Sequence, residues 1–401
     1  PWRGRNDLWF SPDPLLAGRR VGSGAESGAE DPPRLAFLFC GLEDKFAPRV
    51  DDVCDHFGLP RPDLGDTADL GRHAVASVQV GRVLDAALRR MGLQPDVVGG
   101  HSVGEWNAML SAGLLSDQFV DEFINLFDPA SLEVPGVVFG ALGCGADVAA
   151  EVIADLPEVV VSHDNCPHQS IICGREESVA TALRRLRERG VLGQTLPFRS
   201  GFHSPFLEPY LEKARASLAT TPLERAQIPL WSATTVAPYP QDHDEIRELA
   251  VRHLLEPVRF RELTERLYES GVRVFVQIGV GSVAGFIDDT LAGREHLALV
   301  TNTPKRSGLD QLRRVAAALW AEGAAPRMDL LPCRSRPAVA LPRQAPAGVQ
   351  APAGAPNSTP AGSSPAAGTV AATGGATATA VMTAPAPAAT AAQAQPAAGR
   401  T

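Results

Sequence analysis

The sequence predicts an α/β chain: a larger body of alternating strands and helices, interrupted by a small ferredoxin-like subdomain. Three observations carry this. Near the start, an apolar run (35–40) precedes Ala74, Val75, Val78, Val83, Leu84, Ala87, Leu88 and Met91 at helical spacing, and Gln94-Pro95 then breaks the helix before the apolar run 96–100. In the middle, 137–199 reads strand, helix, strand, strand, helix, strand: GVVFGALG, DVAAEVIADL, VVVSH, SIICG, SVATALRRLRERG and VLGQTLPF. That is the ferredoxin-like order. After His203 the αβ alternation resumes, through RVFVQIG (273–279) to a last helix near 312–320. The expected organisation is a body of 34–136 and 200–333, an insert of 137–199, and linkers at 1–33 and 334–401.

Both linkers follow from composition. Residues 1–33 are rich in Gly, Pro and Arg without periodicity, and no charged residue lies between Arg343 and Arg400. Such stretches cannot bury a core, so a flexible tether to neighbouring domains is expected. The chain opens at Pro1, which reads as a piece cut from a longer polypeptide.

Charge and cysteine usage exclude several classes. The net charge is −9 and no long basic run occurs, which argues against bulk attraction to nucleic acid or an anionic membrane. No segment has the length and apolarity of a membrane span. The six cysteines form no Cys-x-x-Cys pair, so reduced, mostly buried thiols in a cytoplasm are expected.

The chemistry centres on VVGGHSVGEWNAMLSAG (97–113), where Ser102 stands in Gly-x-Ser-x-Gly after a predicted strand and before a predicted helix. A serine hydroxyl is a weak nucleophile and needs a base within hydrogen-bond reach and donors aimed at the developing oxyanion. In a strand-to-helix turn Gly100 and Gly104 relieve crowding, and the N–H of Val103 points at the reacting centre. The alternative is a helix-capping serine. Of nine histidines, His203 stands out in FRSGFHSPFLEPY, on a loop before a helix opened by Pro205, although composition alone does not single it out. His163, His168, Asp164 and Cys166 match no common metal-ligand spacing and read as a loop at the insert's edge. Gly279, Gly281 and Gly285 imitate a dinucleotide loop with the third glycine one residue late. Arg184, Arg185, Arg187 and Arg189 make a basic helix, which suits either a solvated face or docking of a carrier protein or CoA phosphates.

Six stretches in order then resemble a known family: GHSVGEW (100–106), SAGLLS (111–116), NCPHQSIICG (165–174), FHSPFLEP (202–209), EPVRF (256–260) and VQIGVGSVAGF (276–286). Across about 35–330 the chain is similar to the malonyl-CoA:acyl carrier protein transacylases and to the acyltransferase domains of type I polyketide and polyunsaturated fatty acid synthases. The resemblance implies a large α/β-hydrolase-like subdomain carrying the ferredoxin-like insert. It implies Ser102 and His203 as a dyad, a main-chain carbonyl near Arg259 orienting the histidine, and oxyanion donors at the backbone N–H of Leu42 and Val103. Phe127, Phe202, Asn165 and His101 make up the substrate-binding residues it implies. It also implies a ping-pong transfer from acyl-CoA to the phosphopantetheine thiol of an acyl carrier protein, with no bound cofactor or metal and CoA thioester as substrate.

Two departures matter. The family's Gly-Gln-Gly before the first helix is Gly41-Leu42-Glu43 here, so the loop's shape differs. The arginine that holds a malonyl carboxylate in that family falls on Phe127, and no Arg or Lys occurs between Met91 and Gly174. A buried carboxylate without a cation costs of order several kcal/mol, so a non-carboxylated acyl group is expected. Val103 and Ser200-Gly201-Phe202-His203, by contrast, sit closer to malonyl-type signatures. A malonyl-specific enzyme, a thioesterase-type hydrolase and a non-catalytic docking domain are the rival expectations.

Overall fold

Unbroken runs of apolar residues become the strands of a sheet buried on both faces. In a computed structural model, which describes residues 2–3, 9–18, 34–67, 69–116, 133–197 and 199–332, the run RLAFLF forms β1 (Arg34–Phe39), buried from Leu35 onward. Helices α1 (Asp51–Phe57) and α2 (Leu70–Arg90) follow. The side chain of Asp69 caps α2 by accepting the N–H of Arg72. The chain then enters β2 (Val97–Gly100) and α3 (Gly104–Ser111).

The insert comprises β3 (Val137–Leu142), α4 (Ala146–Ile153), β4 (Val159–Cys166), β5 (Gln169–Arg175), α5 (Glu176–Glu188) and β6 (Gly193–Thr195). After it come α6 (Glu212–Thr220), α7 (His243–Leu255), β7 (Val258–Arg259), α8 (Phe260–Glu269), β8 (Val272–Ile278), α9 (Val283–Thr290), β9 (Leu297–Val300) and α10 (Gly308–Ala321).

The body's sheet is parallel throughout, in the order β9-β8-β1-β2. Parallel strands covered on both faces read as continuous apolar runs, which is why 35–40 and 97–98 carry no alternation. The insert's sheet is mainly antiparallel, in the order β7-β4-β5-β3-β6. Helix α5 buries Val179, Ala182, Leu183 and Leu186 against it, the i, i+3, i+4, i+7 stripe of an amphipathic helix.

Two boundaries differ from expectation. The insert is not closed at 199: β7, from the returning chain, adds to its edge parallel to β4, with Val258 opposite His163 and Arg259 opposite Asp164. Part of 1–33 is also no linker. Leu15 and Leu16 join the body's core, and their N–H groups donate to the Oε2 and the main-chain oxygen of Glu322. Two adjacent leucines supply the apolar area that the rest of that stretch lacks. The expected tail, 334–401, and Cys333 lie outside the described residues. Among the described residues no helix is long and apolar enough to cross a membrane.

Candidate active site

At the end of β2 the chain turns so sharply that only glycine fits on either side of Ser102. A Cβ on Gly100 would lie 2.1 Å from the carbonyl carbon of Gly104, and one on Gly104 would lie 2.2 Å from the main-chain oxygen of Phe39. Between them Ser102 takes a φ of 54°, a region L-residues seldom occupy. The turn is over-determined: His101 N–H donates to Phe39 O, Gly104 N–H to His101 O and Glu105 N–H to Ser102 O.

Ser102 Oγ lies 2.7 Å from His203 Nε2. His203 is itself held at a φ of 58°, and its N–H donates to the main-chain oxygen of Leu254. Burial, then the facing rings of His253 and His101, keep its basicity well below the usual histidine range. It is therefore neutral at neutral pH, free to accept the serine proton. Nδ1 is buried without a hydrogen-bond partner among the described residues, so the bond its ring nitrogens make is the one from Nε2 to Ser102 Oγ.

Arg259, near which the orienting carbonyl was expected, has its main chain paired with Asp164 in the sheet and its N–H donating to Ala233 O, while its side chain pairs with Glu262.

A pocket opens at the dyad, lined by Leu42, Leu70, Ala74, Ser102, Val103, Trp106, Phe202, His203, His253 and Leu254. Phe202 lines this pocket, and Phe127 lies outside the described residues. Leu42 and Val103 both reach the pocket, and among the described residues neither N–H is engaged in a hydrogen bond. Two free N–H groups, one of them at the start of a helix, are what a developing oxyanion requires.

Asn165 and His101 are brought close to the dyad and bond to one another behind the pocket lining. His101 Nε2 lies 2.7 Å from Asn165 Oδ1, and Asn165 also donates to Gln169. The His101 ring stacks on His163, which stands edge-on to His203 with centroids 4.8 Å apart. Burial lowers His101 to about 4 and His163 well below the ordinary value. The pair forms a neutral, packed wall behind the base. His168 pairs with Asp289, and among the described residues no group of three or more His, Cys, Asp or Glu is placed to hold an ion. The Gly279–Gly281 turn is structural, packed on Cys40 and Glu43.

Sequence reading missed His253 and Glu105. His253 Nε2 lies 3.0 Å from the main-chain oxygen of Ser102, and its Nδ1 lies 2.9 Å from Thr234 Oγ1, so the imidazole bolts the strained elbow to the segment around Thr234. Glu105, fully buried, accepts from Ser232 Oγ, Ala233 N–H and Tyr239 O–H at 2.7, 2.9 and 2.6 Å. Three donors offset the desolvation of that carboxylate in the first turn of α3. A signal for His253 existed: with Ile246, Leu249, Ala250 and Leu254 it falls on the buried stripe of α7, where a polar group needs a partner.

The profile of the family described as acyl transferase domain matches residues 63–301, more than half of the chain. The chain belongs to that family. This acyl transferase domain is 34% identical over 242 residues to the phenolphthiocerol synthesis polyketide synthase type I Pks15/1 of Mycobacterium marinum, a match covering 58% of this chain and 11% of that protein. It is 32% identical over 210 residues to the malonyl CoA-acyl carrier protein transacylase of Bacillus subtilis, covering 49% of this chain and 64% of that one. The chain therefore spans less than two thirds of either relative. Among solved structures, the acyltransferase domain from the second module of the salinomycin polyketide synthase superposes with a TM-score of 0.64 at 24% identity, covering 74% of this chain and 76% of that chain. An acyl carrier protein S-malonyltransferase from Vibrio cholerae superposes at 0.60 with 21% identity, covering 70% and 99%. Those two likenesses speak to the fold of this acyl transferase domain, an α/β body with a ferredoxin-like insert.

Proposed function

We propose that this acyl transferase domain carries an acyl group from a CoA thioester, through an ester on Ser102, to the phosphopantetheine thiol of an acyl carrier protein. The observation that carries the reading is the 2.7 Å contact between Ser102 Oγ and a neutral His203 Nε2, beside the free N–H groups of Leu42 and Val103. Ser102 gives its proton to Nε2 as Oγ attacks the thioester carbonyl. The oxyanion accepts the two N–H groups, and its collapse expels the CoA sulfur, which takes the proton from Nε2. In the second half the pantetheine thiol gives its proton to Nε2 and its sulfur attacks the ester; Ser102 leaves and recovers the proton. The domain supplies every group itself, so no bound cofactor or metal enters the scheme and CoA is a substrate. The carrier protein and neighbouring synthase domains are the proposed partners, in keeping with the relatives' names. A cytoplasmic setting suits the five described cysteines, all buried and free.

We further propose that the acyl group is non-carboxylated, of the starter type. Leucines, Ala74, Val103, Trp106 and Phe202 supply the apolar lining, and no Arg or Lys lines the pocket among the described residues. A carboxylate there would stay unpaired, at a cost of order several kcal/mol. The relatives named as malonyl transacylases favour the second reading, a malonyl donor. Competitive loading with acetyl-, longer acyl- and malonyl-CoA, read by intact-protein mass spectrometry, decides between them. The expected result is faster loading of the uncharged acyl groups. A tenfold advantage for malonyl-CoA, about 1.4 kcal/mol, would overturn the starter-type reading and leave the transfer itself standing. A loaded ester that passes to water as fast as to a carrier protein would overturn the transfer in favour of a hydrolase.

A further inference from the structure

Beyond the dyad, the pocket's least regular wall is the segment after β1. It leaves the sheet at Cys40, whose N–H donates to Ile278 O, and has no helix or strand until α1. Gly41 passes so close to the elbow that a Cβ there would lie 2.6 Å from His101 Nδ1. Leu42 then faces the pocket. At the next residue the chain is tied down again. Glu43 Oε1 accepts the N–H of Ser282 at 2.8 Å, and its Oε2 accepts the Ser282 hydroxyl at 3.3 Å.

The other side of this tie is rigid. Gln277, at the end of β8, donates through Nε2 to the main-chain oxygens of Gly279 and Gly281 and accepts the N–H of Ala284. Gly281 has no room for a side chain, because a Cβ would lie 2.8 Å from Cys40 Sγ and 2.9 Å from Glu43 Oε1. Leu42 thus hangs between two fixed points, Cys40 on Ile278 and Glu43 on Ser282. An N–H can serve an oxyanion only if its direction is held, since the donor must be aimed before charge develops.

We propose that Glu43 is a positioning residue for the oxyanion site: its carboxylate, gripping the N–H and O–H of Ser282, fixes the direction of the Leu42 N–H. The inference rests on the Ser102–His203 reading above. It gives the departure at Gly41-Leu42-Glu43 a role, with a side-chain clasp shaping the loop. It also makes the grip depend on a titrating group. Burial, offset by the Ser282 bonds and reinforced by the charge of Asp44, raises Glu43 to about 7. The titratable groups facing it are Cys40, whose thiol burial pushes well up, and Asp44; the 277–285 turn carries none. Ionised, the carboxyl accepts both Ser282 groups. Protonated, it must turn one oxygen into a donor, and the clasp loosens.

The test uses the full chain and an alkyl fluorophosphonate, which phosphonylates an activated serine with loss of fluoride and needs no knowledge of the acyl group. Second-order labelling rates are measured from pH 5.5 to 9. Wild type is expected to label faster as pH rises through about 7, the Glu43 limb, apart from the His203 limb well below 6.5. Glu43→Gln is expected to lose the limb near 7 while keeping the acidic one. Glu43→Ala is expected to label roughly tenfold more slowly at every pH, a fraction of what removing a whole oxyanion donor costs, with its melting temperature within a few degrees of wild type. A limb near 7 that survives in Glu43→Gln, or wild-type labelling in Glu43→Ala, overturns the proposal. Wild type that does not label overturns it together with the nucleophile. Labelling as expected, with no acyl-CoA ever loaded, would sink the proposed function alone and leave the clasp standing.

Discussion

The two walls of the pocket are built on opposite principles. The elbow at Ser102 is fixed by backbone sterics: glycines where no Cβ fits, a positive φ, and main-chain bonds to the strand beneath. The loop between Cys40 and α1 is fixed by side-chain bonds between it and residues far along the sequence. Glu43 grips Ser282, and Asn302 grips Arg49. A wall of the first kind has no adjustable part, so changing it breaks the fold. A wall of the second kind loosens by degrees and can differ between relatives that share the same elbow.

The largest effect expected from this contrast is that of Gly104→Ala. The new methyl would press on Phe39 O at 2.2 Å and Cys40 O at 2.7 Å, both main-chain atoms that cannot turn aside. Destabilisation above about 4 kcal/mol is expected, seen as loss of soluble protein or collapse of the thermal melt. A Gly104→Ala protein melting like wild type would show that the elbow is as adjustable as the loop.

Next come the dyad variants, which separate chemistry from scaffold. Ser102→Ala should abolish covalent loading. His203→Ala should slow it by about 10²–10⁴-fold, the usual worth of a general base. Ser102→Ala removes only a hydroxyl and should melt near wild type, whereas His203→Ala empties a buried site packed on His163 and His253 and should melt lower. Undiminished acyl adduct on Ser102→Ala would end the assignment of the nucleophile.

The same contrast explains what could be read from the sequence. Ser102 was legible because a strand-to-helix turn tight enough to expose a hydroxyl needs glycines at fixed offsets, and both are local. The insert was legible because Val179, Ala182, Leu183 and Leu186 repeat at helical spacing while its strands are short apolar runs. Glu43 was not, since its partner lies 239 residues away. Nor was the addition of Val258 and Arg259 to the insert's sheet, since their partners His163 and Asp164 lie far back in the chain. The stack of His101 on His163 was not legible either, as the two rings meet only through the fold.

The two walls should also respond to pH with opposite signs. His101, His163 and His203 have folded values held below the ordinary 6.5, so the unfolded chain binds more protons between those values and 6.5. Stability from the elbow is present above 6.5 and is lost as pH falls below it. Glu43 is raised from 4.5 to about 7, so the folded chain holds its proton longer, and stability is lost as pH rises through that window. Melting temperature should therefore fall on acidification below 6.5. His163→Phe should make that fall shallower, since it keeps an aromatic ring in the stack and removes one group that must stay neutral; Ser162 retains its bond to Ile171 O. Glu43→Gln should flatten the opposite slope between 4.5 and 7. An acid slope unchanged in His163→Phe would mean that the buried histidines do not set it.

The smallest effect tests whether the loop is one piece or two. Asn302, 2% exposed, accepts the N–H of Arg49 at 2.9 Å and donates to its carbonyl at 2.7 Å, holding the loop's far end just before α1. Asp52 holds the same end from the other side by accepting the N–H groups of Gly308 and Leu309, which open α10. Asn302→Ala leaves both main-chain groups of Arg49 without their side-chain partner. The expected cost is about 2 kcal/mol, a melting temperature lower by several degrees. Loading should stay within about threefold of wild type, well short of the loss that follows from misdirecting an oxyanion donor. The reason is geometric: the Glu43–Ser282 clasp lies between Leu42 and Arg49, so slack at the far end stops before it reaches the donor. If Asn302→Ala slows loading as much as Glu43→Ala does, slack passes through the clasp, and the loop from Cys40 to α1 moves as a single body.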